Sequence, residues 1–315
     1  MRIGIDIGGM SVKIGLVEGQ SIAAKSVIKI DRGRQTAYDL IEHVSNTVTA
    51  LLYENGVKPG ACEGIGIACP GTVDDQRGIV VYSNNLGWEN VAILETMRAR
   101  MAVTTPMALA NDADAAALGE VLYGAAKGKG SAVLLTLGTG VGSGVIMNRK
   151  IFSGFLRGGC EVGHMAIARN GRLCTCGRRG CLEMYASATV LMEHARALAA
   201  DNPQSLLCVL SGGKLSDIDG KVIFEARRRN DASAELVVDE YLENLSIGIA
   251  NIVNIFRPEI VILGGGVSAQ KEYLTDELQR RVAGKCFGGT HGQTPPIVTA
   301  ELGNDAGIIG AAYLI

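Results

Sequence analysis

The chain has 315 residues, of which 47% are hydrophobic, 20% charged and 4% aromatic, with a formal net charge of -2. That length points to two domains. The near-neutral charge gives no general reason to expect nucleic acid or an anionic membrane as partner, and so few aromatics leave little for stacking bases.

No apolar run in the sequence approaches membrane-spanning length. The opening residues MRIGIDIGG show no charged-then-apolar targeting segment. The eight cysteines are therefore expected in a reducing cytoplasm, as metal ligands or small core residues rather than as a disulfide framework. Cys62, Cys69, Cys208 and Cys286 have no partner pattern and read as packing residues.

Residues 2–7 alternate into an apolar strand that Gly8-Gly9 break. Residues 12–17 read as the returning strand of a hairpin and 21–30 as a third strand. Helical spacing follows over 36–55, through Tyr38, Ile41, Val44, Val48, Leu51 and Leu52, with Gly56 as its stop. Residues 64–69 form a buried strand before Pro70-Gly71; 90–101 read as a helix and 107–110 as a short strand. Asn111 then caps a helix from Asp112 to Tyr123.

The second half repeats the plan. Residues 131–137 are a strand, 138–144 a glycine turn, and 144–148 the start of the returning strand. Helices are expected at 187–200, 222–229 and 233–256, and a strand at 259–263 runs into Gly264-Gly265-Gly266. Strand, glycine turn and strand thus occur twice, at 3–17 and 132–148, which predicts two similar α/β domains facing a shared cleft. Domain boundaries are expected at 1–118, joined by a C-terminal helix at about 305–315, and 119–304.

Three of these loops suit phosphate chemistry. Asp6-Ile7-Gly8-Gly9 ends a strand in an acid and two glycines: bare amides can approach phosphate oxygens, and Asp6 can hold magnesium through water. Gly138-Thr139-Gly140-Val141-Gly142 offers a second amide nest. No Gly-Lys-Ser/Thr follows it, so it is not a Walker loop, and no helix follows it as a dinucleotide fingerprint requires. Gly264-Gly265-Gly266 offers bare backbone to a flat ring or a ribose. Three such loops, each ending an apolar strand, point to a nucleoside triphosphate. Asp112, at a helix N-terminus, stays anionic and suits the positioned base that phosphoryl transfer needs, whereas Asp114 reads as decoration of the helix start.

The densest signal is CEVGHMAIARNGRLCTCGRRGCLEMYA, Cys160 to Ala186. His164, Cys174, Cys176 and Cys181, spaced H-x9-C-x-C-x4-C, are a closed tetrahedral set for structural zinc. Gly171, Gly177 and Gly180 let a short chain wrap round an ion. Zinc would bring Glu161 and Glu183 into one small volume, where acids can take bidentate hydrogen bonds from vicinal sugar hydroxyls. His164 can bind zinc through one ring nitrogen and donate to a hydroxyl through the other. His43, His194 and His291 read as surface or core residues.

These pieces resemble the ROK (repressor, open reading frame, kinase) family of bacterial sugar kinases, within the actin-like ATPase-fold, or ribonuclease H-like, superfamily. The matching stretches are DIGGMSVKIGLV, CPGTVDD, NNLGW, NDADAAALGE, LTLGTGVGSGVI, EVGHMAI, CTCGRRGCLE and VILGGGVS, in family order from Asp6 to Ser268.

The resemblance implies two actin-like domains around a central cleft. It makes Asp112 the base that activates the 6-hydroxyl of a hexose, with Glu161, His164 and Glu183 holding other hydroxyls and Asn85 and Asn111 adding contacts. It also implies ATP held by Gly8, Gly9, Gly138, Thr139 and Gly140, with Gly265 and Gly266 near adenosine. Asp6, Ser11 and Lys13 complete the nucleotide set, with Mg2+ as partner ion and structural Zn2+ on His164 and the three cysteines.

A cytoplasmic homodimer acting on glucose is the first expectation. The alternatives are another hexose or N-acetylhexosamine (N-acetylmannosamine, N-acetylglucosamine, fructose, allose), a phospho-accepting β-glucoside, or polyphosphate as donor. From other classes come a sugar-responsive repressor, whose winged helix has no room before Ile3, and a non-catalytic zinc-stabilised sugar binder. One departure from the family pattern is Met10, where Gly-Gly-Thr is usual; Cys160, where a small residue is usual, stays small.

Overall fold

Every second residue of the first strand is an isoleucine, and the strand uses its two faces differently. In β1 (Arg2–Ile7), Ile3, Ile5 and Ile7 enter a core with Leu40, Ile41, Val44 and Val48 of helix α1 (Ala37–Glu54). Gly4 and Asp6 lie on the opposite face, as strand alternation requires. The computed structural model in which this is seen describes residues 1–31, 33–58, 61–101, 104–155 and 158–315.

Two compact units make up the chain. The first comprises Met1–Leu134, Gly144–Cys160 and Glu301–Ile315, and the second Leu135–Ser143 and Glu161–Ala300. In the first unit, β1 pairs antiparallel with β2 (Ser11–Glu18), which pairs antiparallel with β3 (Ser21–Lys29). On its other side β1 runs parallel to β4 (Ile65–Cys69), and β4 parallel to β8 (Met107–Asn111), giving the order β3-β2-β1-β4-β8. A smaller sheet, β5 (Thr72–Asp74), β6 (Ile79–Ser83) and β7 (Trp88–Val91), precedes α2 (Ile93–Met101). Helix α3 (Asp112–Tyr123) follows β8 directly.

A second five-stranded sheet has the order β11-β10-β9-β12-β13. Its strands are β9 (Ala132–Leu137), β10 (Val141–Met147), β11 (Lys150–Ile151), β12 (Val261–Gly264) and β13 (Ile297–Thr299). The plan matches the first sheet: β10 and β11 pair antiparallel on one side of β9, and β12 and β13 run parallel on the other. The α/β class with a duplicated strand–glycine-turn–strand motif, read from the sequence, is the observed fold. The helices between are α4 (Glu183–Ala186), α5 (Ala188–Asp201), α6 (Leu206–Leu210), α7 (Gly220–Arg228), α8 (Ala232–Phe256) and α9 (Glu272–Ala283).

The C-terminal helix α10 (Ala306–Ala312) is buried along its whole length and built of small residues, AGIIGAA. It lies on the Gly4 face of the first sheet, so close that side chains are excluded. A Cβ at Gly66 would stand 1.7 Å from the Ala311 carbonyl oxygen, and one at Gly4 1.9 Å from that of Ile308. On its other side, a Cβ at Gly310 would meet the Ala115 carbonyl oxygen of α3 at 1.6 Å. Helical glycine costs about 1 kcal/mol against alanine; here it lets helix, sheet and helix meet at backbone distance. Glu120, fully buried in α3, accepts hydrogen bonds from the backbone N–H groups of Ala125 (2.8 Å), Glu301 (3.2 Å) and Leu302 (2.9 Å), fixing where the chain returns ahead of α10.

Several boundaries differ from the sequence reading. Residues 90–101 are not one helix: Trp88 and Val91 are the buried ends of β7, Asn90 between them takes a left-handed φ of 50° that interrupts the strand alternation, and α2 starts only at Ile93. The glycine turn is tighter than expected, so β10 begins at Val141 rather than at 144. The small sheet β5-β6-β7, the edge strands β11 and β13, and α9, whose Leu274, Leu278 and Val282 are buried, were not foreseen.

Among the described residues, no helix is long and apolar enough to cross a membrane. Gly66→Ala is expected to force α10 off the sheet, at about 3 kcal/mol or more. Urea unfolding should show a lower midpoint, and a midpoint equal to wild type would contradict this packing.

Candidate active site

The parallel strands of the first sheet carry the sequence-predicted Asp6 and Asn111 at their carboxyl ends, where open α/β sheets bind ligands. In register, Asp6 of β1 lies beside Ala68, and Cys69 of β4 beside Asn111 of β8. The Cys69 thiol is pushed well up, first by burial and then by the nearby charges of Asp112 and Asp6. The two acids read separately from the sequence therefore act on one buried sulfur. Asp6 is ion-paired with Lys13, Nζ to Oδ2 3.2 Å; Lys13 also donates to the Asn304 carbonyl at 3.3 Å.

Asn111 caps α3 as the sequence predicts. Its Oδ1 accepts from the N–H groups of Ala113 (2.8 Å) and Asp114 (3.3 Å), while Nδ2 donates to the Gly71 carbonyl at 3.0 Å. One side chain thus joins the helix start to the Pro70-Gly71 turn and sets the backbone from which Asp112 projects. Asp112 Oδ1 accepts from Ala113 N–H at 3.0 Å, in the field of the helix N-terminus. Asp114 is buried in α3, not a surface decoration.

Gly8 and Gly9 sit between β1 and β2, where Gly8 N–H donates to the Ser11 carbonyl at 2.9 Å. Met10 leaves its side chain 80% exposed. In the second unit, the turn between β9 and β10 closes with Gly138 N–H donating to the Gly140 carbonyl at 3.0 Å. Gly140 has no room for a side chain, since a Cβ would come 2.2 Å from Glu183 Oε2. Gly265, with φ of 83°, needs both the left-handed backbone and the space, for a Cβ there would be 2.4 Å from the Leu137 carbonyl oxygen. Gly266 borders open space.

The His164, Cys174, Cys176 and Cys181 donor atoms all lie within 4.8 Å of one another. Zinc distances of about 2.3 Å to sulfur and about 2.0 Å to nitrogen imply tetrahedral edges of roughly 3.8 Å for S···S and roughly 3.6 Å for S···N. Cys176 and Cys181 sulfurs are 3.7 Å apart, and Cys174 Sγ is 3.6 Å from His164 Nδ1. The donor chemistry and the edges both fit, with Nδ1 as the histidine ligand. The Cys176 thiol is lowered to about 6, chiefly because Arg178 N–H donates to its sulfur. The fully buried Cys181 is raised to about 11, chiefly by burial. A metal must displace the Cys181 proton, so binding strengthens as pH rises.

Little regular structure holds this knuckle. Ala166 bridges Cys181, Leu173 bridges Arg179, and Gly177 and Gly180 take φ of 83°. Gly171 serves differently, making way for the Tyr185 hydroxyl, which accepts from Arg172 N–H at 2.8 Å. The short turn Val162–His164 is pinned to β10: Val162 N–H donates to Ser143 Oγ at 3.2 Å, and a Cβ at Gly163 would lie 2.0 Å from the Val141 carbonyl oxygen.

Glu161 and Glu183 come into one neighbourhood, close enough for the Glu183 charge to raise the Glu161 pKa. Burial raises it more and His164 lowers it. The Glu161 side chain is open to solvent. Glu183 Oε2 accepts from Val141 N–H at 3.1 Å, and Cys174 Sγ approaches Oε1 at 3.8 Å. Asn85 is exposed in the β6–β7 connection. Sequence reading missed Ser143, Gly163 and Thr189 in this region. Only Gly163, between the predicted site residues Glu161 and His164, carries a local signal.

The ROK family model matches residues 2–315. The chain is 35% identical to the glucokinase of Thermotoga maritima over 320 residues, covering 99% of this chain and 96% of that one. It is 32% identical to the glucokinase of Streptomyces coelicolor, covering 100% and 97%. Among solved structures, the ROK family glucokinase of Streptomyces griseus in complex with glucose and AMPPNP superposes with a TM-score of 0.82 at 32% identity, covering 99% and 98% of the two chains.

Protein purified without chelator is expected to carry about one zinc per chain. Cys181→Ala should abolish that content and lower the unfolding temperature by about 5–10 °C. Metal analysis with calorimetry checks both, and full zinc content in the variant would break the ligand assignment.

Proposed function

Because this chain belongs to the ROK family, we infer that it is an ATP-dependent kinase that phosphorylates the 6-hydroxyl of glucose. The observation that carries the reading is the end-to-end likeness to glucokinases, in a chain that keeps an acid at the capped start of α3. The kinase class does not rest on any one motif.

In this reading Asp112 is the base. Its carboxylate takes the proton of the 6-hydroxyl as that oxygen attacks the γ-phosphorus. The bond from phosphorus to the bridging oxygen breaks, and ADP leaves. Asn111 supports the role by holding the helix start from which Asp112 extends; with Oδ1 engaged by two amides and Nδ2 by Gly71, it has one N–H left for a sugar hydroxyl.

Glu161, His164 and Glu183 would hold the remaining hydroxyls, and Asn85 would add a contact. With Nδ1 on the metal side, Nε2 is the histidine nitrogen left for the sugar. Zinc supplies no chemistry here; it would stiffen the loop that carries these groups. The ATP phosphates would lie against Gly8, Gly9, Gly138, Thr139 and Gly140, with Ser11 and Lys13 alongside and Gly265-Gly266 near the adenosine. A magnesium ion bound with the triphosphate would neutralise its oxygens, and Asp6 is the acid suited to hold it through water. Eight free cysteines suit a reducing cytoplasm, and a homodimer is the assembly to test by light scattering.

The test is turnover on a panel of hexoses and N-acetylhexosamines with ATP and with polyphosphate. Glucose with ATP should give the highest kcat/KM, and no turnover on any member would overturn the reading. Asp112→Asn should lower kcat by about 10²–10⁴-fold while sugar affinity, measured by calorimetry, stays within about twofold. Retained turnover would remove Asp112 from the role of base.

A further inference from the structure

The segment that leaves the last cysteine also holds the glycine turn between β9 and β10. Glu183 Oε2 accepts from Val141 N–H at 3.1 Å. Ala188 N–H, at the start of α5, donates to the Gly138 carbonyl at 2.9 Å. Thr189 Oγ1 donates to the Thr139 carbonyl at 3.0 Å. Ser187 caps the same helix, its Oγ accepting from Val190 N–H at 3.3 Å. Three consecutive peptide groups of the turn are thus gripped from residues 183–189, the first of which lies two residues past Cys181.

The grip has a direction. A trans peptide points its C=O and N–H in opposite senses. Drawing the Gly138 carbonyl toward α5 turns the Thr139 N–H away from that helix. Drawing the Thr139 carbonyl to Thr189 does the same for the Gly140 N–H. These are the amides at the heart of the loop proposed for phosphate, and an amide nest binds an anion only while its N–H groups converge. Released, either peptide can rotate and present a carbonyl oxygen to the phosphates instead.

We propose that residues 183–189, through Ala188 N–H and the Thr189 hydroxyl, are a positioning latch that aims the Thr139 and Gly140 amides at the triphosphate. Nucleotide affinity thereby depends on the order of the cysteine knuckle. The proposal rests on the kinase reading. Thr189 touches neither substrate nor reacting atoms in it; it acts through the Thr139 carbonyl.

Two variants test the latch. Thr189→Val keeps the shape and removes the hydroxyl, with Thr189→Ser as the conservative rescue. Ala188→Pro removes the N–H at the first position of α5, where proline fits a helix, and the preceding Ser187 already has the extended backbone that proline prefers.

Calorimetry with magnesium-AMPPNP in the absence of sugar is the readout, alongside zinc content and the sugar KM. Loss of one hydrogen bond should weaken nucleotide binding by about five- to tenfold in each variant. Thr189→Ser should restore it, and zinc content and sugar KM should stay at wild-type levels. Stripping zinc from the wild type should weaken AMPPNP binding in the same direction. Wild-type AMPPNP binding with both folded variants within twofold of it overturns the latch alone. Absence of AMPPNP binding by the wild-type protein overturns the kinase reading and the latch together.

Discussion

How closely α10 can approach the first sheet sets the geometry of everything at that sheet's carboxyl end. Gly4 and Gly66 on β1 and β4, and Gly310 on the helix, leave carbonyl oxygens of α10 and α3 where side chains would otherwise stand. Because Gly4 and Asp6 share a strand face, the same approach brings Gly307 against the Asp6 carboxyl, where a Cβ would lie 2.9 Å from Cγ. The acid is therefore fixed by a backbone wall on one side and by Lys13 on the other. An alanine in that wall would move the Asp6 carboxylate as well as a helix, so helix packing and the position of that acid are one constraint here.

The second unit solves positioning differently. Between Glu161 and Ser187 there is scarcely any repetitive structure to hold side chains in place. Its order comes from short-range devices: two isolated bridges, left-handed glycines and a four-donor cluster, two of whose edges have tetrahedral lengths. Such a segment has little repetitive structure to oppose chain entropy, and a metal held by these four donors would supply the order that the backbone lacks. Rigidity gained there would be passed on, since β10 receives the Val162–His164 turn at Ser143 and the Glu183 carboxylate at Val141.

What could be read in the sequence was mostly what is local. Asn111 capping α3, with Asp112 next to it, needs only neighbours within three residues, and the four clustered donors, His164 to Cys181, lie within eighteen residues of chain at a recognisable spacing. The apolar run IGIAC of β4 reads as a strand buried on both faces, and so it is. The β5-β6-β7 sheet was not legible because its strands are three to five residues long and half exposed, too short for alternation to show. In α9 the four-residue spacing of Leu274, Leu278 and Val282 is present but set among charged residues that mask it. Bonds such as Glu183 to Val141, 42 residues apart, or Thr189 to Thr139, 50 apart, leave no periodic trace at all. Only the fold brings those partners together.

The same distinction bears on Met10, the departure from the family's Gly-Gly-Thr. A side chain that is 80% exposed contributes little to the shape of its turn. Main-chain bonds maintain that turn: Gly8 N–H donates to the Ser11 carbonyl, and Ile30 N–H to the Met10 carbonyl at 3.0 Å. Replacing threonine by methionine therefore removes a hydroxyl without disturbing the backbone that carries Gly8 and Gly9. Ser11 begins β2 in register with Lys29, and its hydroxyl is the nearest substitute along the chain. Phosphate recognition that rests on backbone amides tolerates such a change, because every residue but proline supplies the same N–H. The second glycine turn differs, since Thr189 and Glu183 hold its backbone from outside the turn itself.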